Sequence, residues 1–149
     1  MNESAALQTI HDLCAAQRLA VLATDMGGHP YANLVAFAAS DDLRQLVFAT
    51  TRATRKFANL SRNGGVALLI DNRSNSAADF QDAVAVTAIG TARELAAEER
   101  PPHQERYLAR HPSLAEFVAA PTCALFVIEV ARYCLVSRFQ NVVEVTFPS

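Results

Sequence analysis

The sequence predicts a mainly β fold with peripheral helices, built as an antiparallel barrel. Three observations carry that expectation. Six or more apolar runs of strand length recur along the chain, and most of the connections between them are short. The βαβ alternation of a dinucleotide-binding fold is missing, as are a Gly-x-Gly-x-x-Gly fingerprint and a Walker loop.

Each element follows from local pattern. Ala6, Ile10, Leu13 and Cys14 recur at helical spacing after Ser4, a candidate cap, so the first ~15 residues form an amphipathic helix. Leu19 to Thr24 is a short strand. Met26-Gly27-Gly28-His29-Pro30 is a turn, in which the paired glycines supply positive φ. Tyr31 to Ala39 is a second strand, with Leu34, Ala36 and Ala38 on one face and Val35, Phe37 and Ala39 on the other. Ser40-Asp41-Asp42 turns the chain into a third strand, Gln45 to Ala49, and the three strands form a meander. A helix runs from Thr54 to Arg62 and packs across one end of the barrel. Asn63-Gly64-Gly65 ends it with a left-handed glycine cap. Val66 to Ile70 is apolar on both faces and reads as a fully buried strand.

A polar loop, 71–76, precedes a short helix around Ala77 to Gln81, with Asp71 and Asn72 as candidate cap or ligand contacts. Ala83 to Leu95 is a long strand in which Gly90 marks a bulge or a close backbone approach. Helix begins at Ala96-Ala97-Glu98-Glu99-Arg100, is interrupted by Pro101-Pro102, resumes over Gln104 to Arg110 and stops at His111-Pro112. A short helix spans Leu114 to Val118. Thr122 to Val136 is strand-rich, and Val142 to Phe147 is the last strand.

Composition narrows the function classes. The chain has 149 residues, enough for one domain with its own core. Hydrophobic residues make up 51% and charged residues 19%, an apolar balance that leaves surface for a subunit interface. A net charge of -2 argues against a general nucleic-acid binder. No apolar run approaches the ~18 residues of a membrane span, and Met1-Asn2-Glu3-Ser4 does not open a signal peptide, so the expected location is cytoplasmic. Cys14, Cys123 and Cys134 form no CxxC pair and read as small buried hydrophobes of a reducing compartment, not a zinc site.

The most informative stretch is Leu46-Val47-Phe48-Ala49-Thr50-Thr51-Arg52-Ala53-Thr54-Arg55-Lys56. A strand end runs into a hydroxyl-rich turn, and the turn carries three cations into the start of a helix. Hydroxyls, free backbone N–H groups and the positive end of a helix dipole suit a bound phosphate. The plainer alternative is a solvated basic first turn. That alternative leaves Arg55 and Lys56 unexplained, because cations oppose the dipole at a helix N-terminus.

Gly28-His29-Pro30-Tyr31-Ala32-Asn33-Leu34-Val35, Leu46-Val47-Phe48-Ala49-Thr50, Thr54-Arg55-Lys56-Phe57-Ala58-Asn59-Leu60, Asn63 and Val66-Ala67-Leu68-Leu69 form an ordered set. The set resembles the pyridoxamine 5'-phosphate oxidase-like family of FMN-binding split β-barrels. The resemblance covers about Leu19 to Leu95. The C-terminal run Arg132 to Val142 looks like a less characterised branch, not the vitamin-forming oxidase. The resemblance implies a single FMN-binding domain over residues 1–149 and a homodimer with flavin sites at the interface. It implies FMN contacts from Asn33, Leu34, Val35 and Ala36, further contacts from Ala49, Thr50 and Thr51, and phosphate binding by Thr54, Arg55 and Lys56.

The departures from the family pattern bear on the reaction. The vitamin-forming oxidase has an arginine where Asn33 stands, and Arg52 is the candidate to replace that cation. Its glutamine-bearing flavin contact is replaced by small residues around Ala83 to Ala85, and its substrate-binding Arg and His have no clear counterpart. Pyridoxamine phosphate oxidation is therefore not expected. The expected function is a flavin-dependent oxidoreductase acting on an unidentified small molecule. The alternative is a non-catalytic flavin or haem binding or storage protein, with His29 as the candidate haem ligand. His11, His103 and His111 read as surface or structural residues, and Glu98-Glu99 as a solvated pair. Tyr133, Arg138 and Gln140 are candidates to reach a dimer partner's flavin. No nucleophile or acid–base constellation stands out.

Overall fold

The computed structural model describes residues 1–138 and 141–149. The chain runs α1 Glu3–Ala16, β1 Leu19–Met26, β2 His29–Ala39, β3 Gln45–Thr51, α2 Arg55–Arg62, β4 Gly65–Asp71, α3 Asp79–Asp82 and β5 Val84–Glu94. It continues through α4 Arg100–Arg110, α5 Ala115–Ala119, β6 Cys123–Ser137 and β7 Asn141–Thr146. Among the described residues the strands form one sheet in the order β3-β2-β1-β4-β5-β6-β7, and β3 also pairs with β6. That pairing, Gln45–Thr51 against Cys123–Glu129, closes six antiparallel strands into a barrel, with β7 added on β6 outside the closure. The expected mainly β, split-barrel architecture is the one observed.

The barrel interior is filled by inward residues of successive strands: Ala20 and Leu22, Val35 and Phe37, Leu46 and Phe48, Val66 and Leu68, Val86 and Ala88, Phe126 and Ile128. The two ends are plugged by helices. α1 buries Ala6, Ile10, Leu13 and Cys14 at one end, the four residues its periodicity singles out. α2 closes the other end, as expected: Leu60 is buried and Phe57 meets the edge of Phe126 at 6.0 Å, while Phe126 stacks on Phe48 at 5.4 Å. A second apolar cluster lies outside the barrel wall. There Ala38, Val47, Ala49, Leu125 and Val127 pack beneath Tyr107 of α4 and Val118. Being covered on both faces explains why β6 reads as a continuous apolar run from Cys123 to Ile128.

Several local expectations change. The cap of α1 is Asn2, whose Oδ1 accepts the Ala5 N–H at 2.8 Å, and not Ser4. Gly27 and Gly28 both take positive φ, 60° and 88°, as a two-residue hairpin turn with the twist of its strands requires. Gly64 and Gly65 do not take it. α2 ends in extended geometry at Asn63, and Gly64 is needed for space, since a Cβ there would lie 2.7 Å from the Ala92 carbonyl oxygen. Pro101 and Pro102 do not interrupt α4. They lie in its first turn, where backbone N–H groups have no intrahelical acceptor to lose. β4 is not buried on both faces: Val66, Leu68 and Ile70 point inward, whereas Ala67 and Leu69 stay partly exposed on the outer wall. Asp71 and Asn72 cap no helix. Asp71 pairs with Arg73 at 3.0 Å, and Asn72 Oδ1 accepts the Val84 N–H at 2.7 Å at the start of β5. Glu99 is not merely solvated, because its carboxylate accepts from Arg93 and from the Ala96 N–H.

Cys14 and Cys123 are buried, and Cys134 is partly exposed on the outer wall. Burial pushes the Cys14 thiol up to about 12, so it is an inert packing group. Gly90 sits at the register shift between β5 and β6, and a Cβ there would fall 2.1 Å from the Glu129 carbonyl oxygen. Gly90→Ala must therefore displace the backbone of the adjacent strand. It should lower unfolding stability in urea by about 1–3 kcal/mol. Gly65→Ala, whose new Cβ meets only the Asn63 side chain at 3.2 Å, should cost less. Equal urea midpoints for the two variants would contradict this account of Gly90.

Candidate functional site

The basic turn folds as a helix start. Thr54 is extended at φ -87° and ψ 156°, and its hydroxyl oxygen accepts the Phe57 N–H at 3.1 Å, so it caps α2. The hydroxyl oxygens of Thr50 and Thr54 lie 2.9 Å apart, and both reach the Thr51 carbonyl, at 3.2 and 3.1 Å. Two hydroxyl hydrogens serve these contacts, so both are committed within the turn. A ligand can take one only if a hydroxyl rotates. The backbone N–H groups of Arg55 and Lys56 are different. Among the described residues they meet no acceptor, as expected of the first turn of a helix.

The three cations of the turn have separate surroundings. Arg52 is held by Glu94 through two bonds of 2.9 and 2.6 Å, and its guanidinium lies 5.5 Å from the Phe57 ring centre. In the ligand-free chain its charge is therefore engaged by Glu94. Arg55 is exposed and touches Met26 Sδ at 3.1 Å. Lys56 is half-buried, and desolvation lowers its pKa. Neither Arg55 nor Lys56 has a carboxylate within salt-bridge distance among the described residues.

Beside this helix start lies a cleft of about 470 Å³ lined by Met26, Gly27, Thr54, Arg55, Asn59 and Arg62. Arg62 is the functional candidate that sequence reasoning missed. Its signal was the i, i+4, i+7 spacing of Arg55, Asn59 and Arg62, which places them on one helix face. Asn59 anchors that face, since its Nδ2 donates to Thr24 Oγ1 at 3.0 Å and both residues are buried. The cleft gathers Thr54 and Arg55. It does not gather Lys56, the strand residues Asn33 to Ala36, or Ala49 to Thr51. A larger groove of about 560 Å³ between α1 and Asp41–Leu43 presents Glu3, Asp41 and Asp42, the wrong sign for an anion.

The β2 residues divide by face. Asn33 points inward, and its Oδ1 is buried with no donor, a costly state for an amide oxygen. Val35 is part of the barrel core and Ala49 of the outer cluster, so their side chains are occupied by packing. Leu34 is 62% exposed. It pairs across the outer wall with Val21, which pairs in turn with Leu69. With Leu19, 54% exposed, these residues leave an uncovered apolar face. Along Tyr31 to Ala36, β2 is paired among the described residues only to β1, because its ladder with β3 begins at Phe37.

The other candidates have the following positions. Tyr133 is fully buried and donates to the Leu43 carbonyl at 2.6 Å, so it is a core residue and does not extend toward a partner. Arg138 is exposed, and Gln140 lies outside the described residues. His29 is exposed at the β1–β2 turn, and His11 is exposed on α1. His111 is buried and structural, with Nε2 2.7 Å from the Phe37 carbonyl. Among the described residues no three His, Cys, Asp or Glu side chains group as metal ligands, and no helix is long and apolar enough to cross a membrane.

A sequence model of the pyridoxamine 5'-phosphate oxidase family matches residues 6–137. No curated protein matches the chain in sequence. In three dimensions the chain is similar to the heme binding protein of Mycobacterium smegmatis, with a TM-score of 0.85 and 18% identity over 98% of this chain. It spans 59% of that protein's chain. General Stress Protein 26 of Bacillus anthracis aligns with a TM-score of 0.71 and 18% identity, over 95% of this chain and 98% of its own. A FAD-binding protein of Mesorhizobium loti aligns with a TM-score of 0.68 and 16% identity, over 86% of this chain and 91% of its own. At these identities the likenesses establish the fold. The family match covers most of the chain, from α1 to the end of β6, and by that match the protein belongs to the pyridoxamine 5'-phosphate oxidase family.

Proposed function

We propose that the protein binds FMN at the start of α2 and along β2, and acts as a flavin-dependent oxidoreductase on a small molecule. The observation that carries the reading is the opening of α2, where two unsatisfied N–H groups and two cations without carboxylate partners stand together. Without an anion those charges oppose the helix dipole, and with a phosphate they complement it. The residues present fit the cofactor. The Arg55 and Lys56 N–H groups and side chains suit its phosphate, and the orphaned Asn33 oxygen, buried on the inward face, suits a ribityl hydroxyl only after the Asn33 side chain turns toward the open edge of β2. Leu34 and Ala36 supply apolar surface for the ring. Thr50 and Thr54 contribute by holding the turn, and to the ligand only after a hydroxyl rotates.

FMN, when bound, supplies hydride and electron transfer. The chain's part is to hold it and to exclude water from it. The uncovered face of Leu19, Val21, Leu34 and Leu69 is read as the contact surface of a homodimer burying on the order of 2,000 Å² or more. A second subunit there also covers the open edge of β2. The compartment is taken as the cytoplasm, where three unpaired cysteines stay reduced. Haem is the competing occupant, with the exposed His29 as its ligand. Loss of haem binding in His29→Ala, with no flavin bound by the parent, would favour that reading.

The phosphate assignment has a direct test. A charge-assisted bond is worth about 1.5–3 kcal/mol, so Lys56→Ala and Arg55→Ala should each weaken FMN binding about tenfold or more. Riboflavin, which lacks the phosphate, should bind parent and variants alike, and Arg73→Ala should change neither affinity. Parental FMN affinity in both variants would overturn the assignment. Sedimentation tests the interface: the parent should run as a dimer and Leu34→Glu as a monomer, and a monomeric parent at micromolar concentration would contradict the proposal.

The ligand-free protein carries a second signature of Lys56. Burial lowers its pKa from the usual 10.5, so across the window below 10.5 the unfolded chain binds more protons than the folded one. Stability contributed at this site therefore rises with pH through that window. Lys56→Met should remove part of the rise in urea-unfolding stability as pH approaches 10.5 from below. Identical pH profiles for parent and variant would show that the ammonium is not desolvated.

A further inference from the structure

Among the described residues, β2 has a strand neighbour on one side only from Tyr31 to Ala36. This is the stretch that the proposed function places against the flavin. A strand with an open edge lacks the second ladder that would fix its path. At the end of that stretch α4 takes over the task. The Tyr107 hydroxyl donates to the Ala36 carbonyl at 3.3 Å, and His111 Nε2 lies 2.7 Å from the Phe37 carbonyl. A carbonyl oxygen only accepts, so Nε2 carries the proton of this imidazole. Both residues come from the last turn of α4 and its cap, and their rings lie 5.0 Å apart. Both are buried, at 1% and 6% exposure, and Tyr107 is backed by Ala38, Val47, Val118 and Leu125.

We propose that Tyr107 and His111 are positioning residues that clasp β2 at Ala36 and Phe37 and so set the path of the flavin-facing segment Asn33 to Ala36. Neither residue touches the cofactor in this account. They act through two adjacent carbonyls, one on each side of the point where β3 begins to pair with β2. The inference rests on the FMN reading for its consequence, but the clasp itself is a property of the ligand-free chain. Burial keeps the Tyr107 hydroxyl protonated, with its pKa pushed up to about 12, so the donor persists across the working range of pH.

Tyr107→Phe and His111→Leu remove one donor each, and His111→Gln keeps an amide donor in its place. Loss of one hydrogen bond that orders the segment should weaken binding of FMN and of riboflavin by the same factor, about threefold to tenfold. The visible spectrum of the bound flavin should shift, and His111→Gln should restore most of the loss. This pattern differs from that of Lys56→Ala, which should affect FMN alone. A Tyr107→Phe variant that melts earlier but binds both flavins with parental affinity and spectrum would overturn the proposal, and so would a loss confined to FMN. Hydrogen exchange on the ligand-free protein separates the clasp from the cofactor. Tyr107→Phe should speed exchange at Tyr31 to Ala36 and leave β4 and β5 unchanged, whereas unchanged exchange at β2 would overturn the clasp whether or not flavin binds.

Discussion

Seven residues of β3, Gln45 to Thr51, hydrogen-bond to Cys123 to Glu129 of β6, and the position of everything else follows from that contact. It converts a sheet with two free edges into a barrel, and so creates an inside for Phe48 and Phe126 and an outside for Val47 and Val127. It carries β3 past the end of its short ladder with β2, which spans only Leu46 to Phe48. Beyond Phe48 the two strands part, and β2 is left open from Tyr31 to Ala36. It also delivers Thr50 and Thr51 to the barrel rim, where α2 begins. The charged turn and the open strand are thus two consequences of one closure.

Much of this was legible because it is local. Strand alternation, the paired glycines of the β1–β2 turn and the helical stripe of α1 depend on neighbours within a few residues. The misreadings share a different cause. Pro101 and Pro102 were read as breakers because their place in the first turn depends on where α4 starts. Gly64 was read as a left-handed cap, but its requirement is set by Ala92 on a distant strand. Tyr133 was offered to a partner because no sequence pattern reveals that its hydroxyl meets Leu43. β4 read as doubly buried because its outer residues Ala67 and Leu69 are apolar as well, although they stay partly exposed.

The candidate site was half legible. The residue types at Thr50, Thr54, Arg55 and Lys56 motivate the proposed anion site, and the ordered motifs point to a family that the wider match bears out. What the sequence hid is the accounting of donors and charges. Arg52 is spent on Glu94, and the threonine hydroxyls are spent on each other and on Thr51. Backbone N–H groups and two cations remain for a ligand, together with a buried amide oxygen at Asn33. The proposed FMN phosphate would take up those N–H groups and cations, and that is the physical content of the FMN reading.

The most direct measurement is the visible spectrum of the protein after incubation with excess FMN and gel filtration. The account predicts retained flavin, near one per chain, showing the two-band absorption of the oxidised cofactor perturbed from its spectrum in buffer. A colourless protein that retains no flavin, or one that instead purifies with a Soret band, would contradict it.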